Sequence, residues 1–275
     1  MSSLGLMLCQ ADAPTQTVVS NRVFMPLPDD GQVLVHVSKL VVTANTVTYA
    51  LAGKMPPLKY FDHFPLPEDA PDSVAMCPCW GTGIVISSKC GAVKTGTRIH
   101  GYFPFAPTVV LTPSDVKDTE FMDAAKHRSH LLPPYKTYYT HEAPQYKGLS
   151  YAEEDYHMAT GVLFTTGWAM AQVAAVHPKK PTALLLTSAS SRTSRAAAFA
   201  AQFHELPMEI IGLTSAANYE YTRSLGIYDI VVEYGQVETL TKQPVAIQDV
   251  AGSSTVREDI YRHFGSDIVY CGSVG

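Results

Sequence analysis

A chain of 275 residues, 46% hydrophobic and 16% charged, is a globular protein with a real core, in one large domain or two smaller ones. Its formal net charge of −5 comes without any Lys/Arg run, which argues against a nucleic-acid partner. No stretch reaches the roughly 20 apolar residues that span a bilayer, so no membrane role is expected.

The opening Met1 to Gln10 has no basic segment and only a short apolar run, and does not read as a signal peptide. Five cysteines (Cys9, Cys77, Cys79, Cys90 and Cys271) form an odd, sparse set that suits a reducing, cytoplasmic setting. Cys77-Pro-Cys79 with Cys90 invites a zinc reading. A structural zinc site wants a second cysteine pair, and the chain has none, so no metal is expected.

The first part, residues 1–150, reads as β-rich. Gly31 to Val42 alternates at period two over its early half, as a half-buried strand does. Ala44 to Ala52 fits a short helix closed by Gly53. Gly81 to Ser87 and Thr97 to Phe103 fit strands joined by a Lys94–Thr97 turn. Pro107 to Pro113 fits an edge strand fenced by prolines. Residues 53–78 and 129–150 read as irregular, with Tyr135 to Tyr146 a solvated aromatic loop. His100 reads as a packed or inter-lobe histidine, and His63 sits in a Pro-rich loop beside Tyr60 and Phe61.

The second part, residues 151–275, alternates helix and strand. One long helix covers Ala159 to Val176 and stops at His177-Pro178. Strands are expected near 183–187, 208–213, 229–232, 245–249 and 267–271, with helices near 194–204, 217–225 and 254–264. That alternation predicts an α/β, parallel, doubly wound sheet. A strand, a tight turn and an Ala-rich helix at Ala183 to Phe203 have the layout of a dinucleotide-binding βαβ unit, but its turn carries no glycine.

This order of parts resembles the medium-chain dehydrogenase/reductase superfamily, a GroES-like β-rich lobe followed by a Rossmann lobe. Gly31 to Val35, Thr97 to Phe103, Thr160 to Trp168, Asp249 to Ser253 and Tyr270 to Gly275 are similar to its motifs, and Thr214 to Gly226 resembles fungal trans-acting enoyl reductases. The chain is most similar to a domain-of-unknown-function branch, on Val42 to Ala50, Gly101 to Pro104 and Thr187 to Thr193. The resembled proteins continue beyond Gly275, so the Rossmann sheet is expected to lack its last strand. Either the chain is a shortened homologue that forms a homodimer over its bare edge, or it is an incomplete product.

The resemblance implies a zinc-independent reductase using NADPH on a small hydrophobic enone, quinone or polyketide-like carbonyl, as in secondary metabolism. Where the zinc enzymes carry a ligand-bearing pair, this chain has Cys79-Trp80. Without a metal, a hydroxyl or amide must polarise the carbonyl. Tyr49 falls where related quinone reductases place an active-site tyrosine, and Asn45 and Thr48 on the same element would orient the substrate. The bland alternatives are a Tyr49 packed between lobes and an Asn45 that caps the helix. Ser188, Ser191, Arg192 and Ser194 stand at the family's four glycine positions, with Thr193 among them, and would hold a pyrophosphate by side chains. Alternatively a side chain fills that space and the loop is a fossil. Arg192 at a helix N-terminus opposes the helix dipole and asks for an anion.

Thr214, Ser215 and Asn218 end the second strand without a carboxylate, which favours NADPH over NADH. Gly272 and Ser273 complete the expected cofactor contacts. Two alternatives remain open at this point. One is a redox-silent descendant that binds a hydrophobic molecule and catalyses a cyclisation or isomerisation. The other is an accessory partner of a biosynthetic enzyme.

Overall fold

The computed structural model describes residues 6–14, 16–20, 26–66 and 70–274. Residues 1–5 of the opening segment and Gly275 of the last motif lie outside that set. The chain falls into two compact units, Met1–Met158 and Ala159–Gly275.

The first unit is built from antiparallel strands. β1 (Leu6–Gln10), β2 (Thr17–Ser20) and β4 (Val74–Met76) make a three-stranded sheet. A seven-stranded sheet runs in the order β7 (Thr108–Leu111), β3 (Val33–Val41), β5 (Pro78–Ser88), β6 (Arg98–Pro104), β10 (Thr137–Thr140), β9 (Glu120–Asp123) and β8 (Pro113–Ser114). The proline-fenced strand β7 is an edge, as its lack of amide donors at both ends requires. Val33, Val35, Val85, Ile99, Phe103 and Phe121 fill one face, the alternation expected of half-buried strands. α1 (Ala44–Leu51) follows β3.

The second unit begins within α2 (Tyr151–Ala175). A parallel five-stranded sheet follows in the order β13 (Ile230–Glu233), β12 (Glu209–Thr214), β11 (Ala183–Leu186), β14 (Val245–Asp249) and β15 (Ile268–Ser273). α3 (Arg192–Phe203) links β11 to β12, α4 (Tyr219–Ser224) precedes β13, and α5 (Ser254–Phe264) links β14 to β15. Ala183 to Leu186 are wholly buried, as a central parallel strand covered on both faces must be. Among the described residues no helix is long and apolar enough to cross a membrane.

Three expectations need correction. α2 starts at Tyr151, eight residues before the expected Ala159, because Ser150 and Glu153 form a capping box: Ser150 N–H donates to Glu153 Oε2 at 2.8 Å and Glu153 N–H to Ser150 Oγ at 3.3 Å. Residues 129–150 are not all irregular, since β10 pairs there with both β6 and β9. Tyr135 to Tyr146 is not a solvated loop. Tyr138 is wholly buried, and Tyr146 stacks on His100 with ring centroids 3.7 Å apart.

Candidate functional site

The first candidate site centres on Tyr49. α1 is capped by Thr43, whose N–H donates to Thr46 Oγ1 at 3.1 Å, so Asn45 is not the cap. Asn45 instead lies one turn before Tyr49 on the same helix face, beside its hydroxyl, while Thr48 points to solvent. Cysteines pin the helix to β5: Cys77 Sγ donates to Thr46 O at 3.7 Å, and Cys79 Sγ lies 3.9 Å from Thr46 Oγ1. The Cys-Pro-Cys segment thus has a packing role. Among the described residues no cluster of three or more His, Cys, Asp or Glu could hold a metal.

Tyr49 is 5% exposed, and burial holds its phenol well above the ordinary tyrosine range. Its oxygen accepts a 3.0 Å hydrogen bond from Trp80 Nε1. The hydroxyl proton therefore stays on and points away from the indole. Around it Tyr102 packs edge-on at 5.5 Å and Tyr60 at 4.7 Å, and Tyr102 is in turn 5.0 Å from Trp80 and 5.1 Å from Tyr135. His63 joins the group, 1% exposed, with Nε2 3.2 Å from Leu58 O. Burial pushes its imidazole down to about 4, so it is neutral near pH 7. Two buried polar atoms of the cluster, Tyr102 Oη and His63 Nδ1, have no partner among the described residues. Trp80, Tyr102 and Tyr135 come from separate elements, and no local spacing tied them to Tyr49. Only Trp80, singled out by its place in the resembled motif, was a signal.

The second candidate site lies in the other unit, at the carboxyl ends of β11 and β14. Strand order turns back between these two, the topological switch point where open α/β sheets bind ligands. Thr187 ties the two ends together. Its buried hydroxyl donates to Asp249 Oδ1 at 2.8 Å and accepts from the N–H groups of Val250 and Ala251 at 2.8 and 2.9 Å. Ser188 takes the left-handed conformation, φ +50°, a position where glycine costs least.

The serines of the turn point their hydroxyls into the protein. Ser194 Oγ is wholly buried and donates to Thr187 O at 2.7 Å. Ser191 caps α3, its Oγ accepting from Ser194 N–H at 3.2 Å. Three turn N–H groups are also engaged, Ser188 with Tyr234 Oη, Ala189 with Leu213 O and Ser191 with Ser188 O. The amides of Ser190, Arg192 and Thr193 are left at the amino end of the 12-residue α3, with no acceptor among the described residues. The Arg192 guanidinium donates to Ala159 O at 3.2 Å, so its cation has a carbonyl partner.

At the end of β12, Thr214 is buried, its hydroxyl unpartnered among the described residues, and Asn218 Nδ2 donates to Ser215 Oγ at 3.2 Å. Residues 214–218 carry no carboxylate. Sequence reasoning missed Arg195, whose Nη1 reaches Tyr221 Oη at 2.6 Å and so sets a cation against α4, just after this turn. Nothing in the spacing of residues 195 and 221 foretold the meeting. Gly272 has a packing reason, since a Cβ there would come within 2.5 Å of Gln248 Oε1, and Ser273 pairs with Asp249 in the sheet.

The chain matches the family model DUF2855, described as a protein of unknown function, over residues 40–275. No curated protein matches. Among solved structures it is similar to a probable oxidoreductase from Mycobacterium abscessus, at 18% identity and a TM-score of 0.52, covering 98% of this chain and 79% of that one. It is similar to the quinone oxidoreductase from Coxiella burnetii, at 12% identity and a TM-score of 0.57, covering 98% and 82%. It is also similar to the quinone oxidoreductase from Thermus thermophilus, which has been solved in complex with NADPH, at 14% identity and a TM-score of 0.53, covering 98% and 80%. Identities this low establish the fold: the GroES-like β-rich domain and Rossmann domain of the medium-chain dehydrogenases and reductases, as the sequence motifs implied.

Proposed function

The chain belongs to the DUF2855 family, and we propose that it is a metal-independent oxidoreductase that uses NADPH to reduce a small hydrophobic enone, quinone or polyketide-like carbonyl. The observation that carries this reading is the hydrogen bond from Trp80 to Tyr49. An indole N–H spent on the phenol oxygen leaves the phenol as a donor and polarises its O–H bond. A fixed, protonated donor is what a carbonyl oxygen needs while negative charge collects on it.

The residues of the second unit fit the cofactor, though not in the way the serines suggested. Free amides of Ser190, Arg192 and Thr193 at a helix N-terminus suit a pyrophosphate. Arg195, held on Tyr221 of the helix that follows a strand end without a carboxylate, suits a 2′-phosphate. The nicotinamide, when bound, supplies a hydride. The chain's own part is to hold the phosphates and to donate from Tyr49 to the substrate oxygen. Burial keeps the Tyr49 proton in place at neutral pH, so its role is electrostatic and the final proton comes from solvent.

Loss of nicotinamide absorbance against a panel of enones and quinones tests the reading. Tyr49→Phe is expected to lower kcat about 100-fold with little change in KM, the usual cost of one oxyanion donor. Turnover that ignores NADPH would sink the proposal. It would favour the second reading, a redox-silent binder or isomerase, whose support is that three turn amides and both inward serines are already engaged.

A further inference from the structure

Four large aromatic rings lie on the surface of the second unit. Phe164 and Trp168 stand one turn apart on α2, and Phe199 and Phe203 one turn apart on α3. They are 44, 43, 48 and 72% exposed. Phe164 is 6.3 Å from Phe199, and Phe199 is 6.0 Å from Phe203, nearly parallel to it at 20°. Phe203 meets His204 at 5.3 Å, and Trp168 closes the circuit by donating from Nε1 to His204 Nε2 at 3.0 Å. The helices come together at Gly167, where a Cβ would meet Thr193 O at 2.5 Å and Ala197 N at 2.6 Å. That contact merges two aromatic pairs into one patch. The cations nearest in sequence are turned to other partners, Arg192 to Ala159 O and Arg195 to Tyr221.

We propose that this patch is the interface of a homodimer, in which a second copy of the chain seats the same four rings against these. An aromatic side chain presents roughly 150–250 Å², so the stated exposures leave about 400 Å² of ring surface on each chain. A pair of copies would bury about 800 Å² from these rings alone, which is the apolar centre of a standard interface of about 1,600 Å². The four rings themselves carry no charge, so ring meets ring without like-charge repulsion, and a two-fold axis lets each ring find a partner. The proposal stands apart from the reading of NADPH chemistry.

Sedimentation of the full chain from about 1 to about 100 µM tests it. The mass is expected to climb from 29.9 kDa toward twice that value. Phe199→Glu with Phe203→Glu should raise the dissociation constant at least ~100-fold, because two carboxylates would enter an apolar interface. Leu132→Glu, at a 66% exposed site in the other unit, should change nothing. Phe203→Ser, at the most exposed ring, is the milder variant and should weaken the dimer about tenfold. A monomer at every concentration overturns the proposal and leaves the patch to a different protein. A dimer that survives both substitutions at Phe199 and Phe203 overturns it as well.

Discussion

Replacing Thr187 by Val keeps the shape of the side chain and removes one oxygen. That oxygen makes three hydrogen bonds at the switch point, one to the Asp249 carboxylate and two from the Val250 and Ala251 amides. Thr187 is wholly buried, so water does not replace them freely. The donation to a carboxylate is worth about 1.5–3 kcal/mol, and each stranded amide costs about 1–3 kcal/mol. Asp249 keeps Gly252 N–H and Arg257 Nε, each at 3.2 Å, and the loop after β14 relaxes, which trims the total. The net cost is about 3–5 kcal/mol, or a fall of about 8–15 °C in the melting temperature of the unit that holds it. Thr187→Ser retains the hydroxyl and loses a methyl, for about 1 kcal/mol. Urea unfolding of the three proteins side by side measures both differences. A Val variant within about 1 kcal/mol of the Ser variant would refute the claim that this hydroxyl ties the ends of β11 and β14 together.

Two further outcomes follow from the same geometry. His63 and His100 are buried and held neutral, each pushed down by burial to about 4. Their folded values lie below the unfolded one, so the unfolded chain takes up protons first as pH drops. Their stabilising share is full above about pH 6.5 and is lost progressively as pH falls from there toward 4. Denaturant midpoints across that range should fall, and His63→Gln with His100→Gln should flatten the slope. At Ser188, whose φ is +50°, Ser188→Gly should be neutral or stabilising by up to about 1 kcal/mol. Ser188→Val should cost about 2 kcal/mol, since a β-branched side chain resists that conformation. Calorimetric melting separates the two signs.

The alternation of strand and helix after residue 180 was legible because each parallel strand is a short apolar run between turn residues, and each helix carries its own stop. Much of the first unit was not. β9 and β10 owe their pairing to β6 and to each other, and a four-residue Thr137–Thr140 strand beside two prolines carries no period to read. The start of α2 was legible in principle, in the Ser150–Glu153 capping box, but its first turns lack the apolar rhythm that betrays a helix. Tyr49 is singled out by resemblance alone, whereas Trp80 and Arg195 meet their partners through long-range contacts. The glycine-less turn illustrates the limit best. Residue types suggested hydroxyls aimed at a phosphate, but a buried serine had first to satisfy the carbonyl of Thr187.

Calorimetric titration of the 275-residue chain with NADPH is the most direct test of the central claim. The geometry predicts saturable binding with a Kd of about 1–100 µM, and binding of NADH about tenfold weaker. Arg195→Ala should erase that difference between the two cofactors and leave NADH unaffected. No heat and no rise in melting temperature at millimolar NADPH would contradict the account, and would mean that the amides of Ser190, Arg192 and Thr193 serve no dinucleotide.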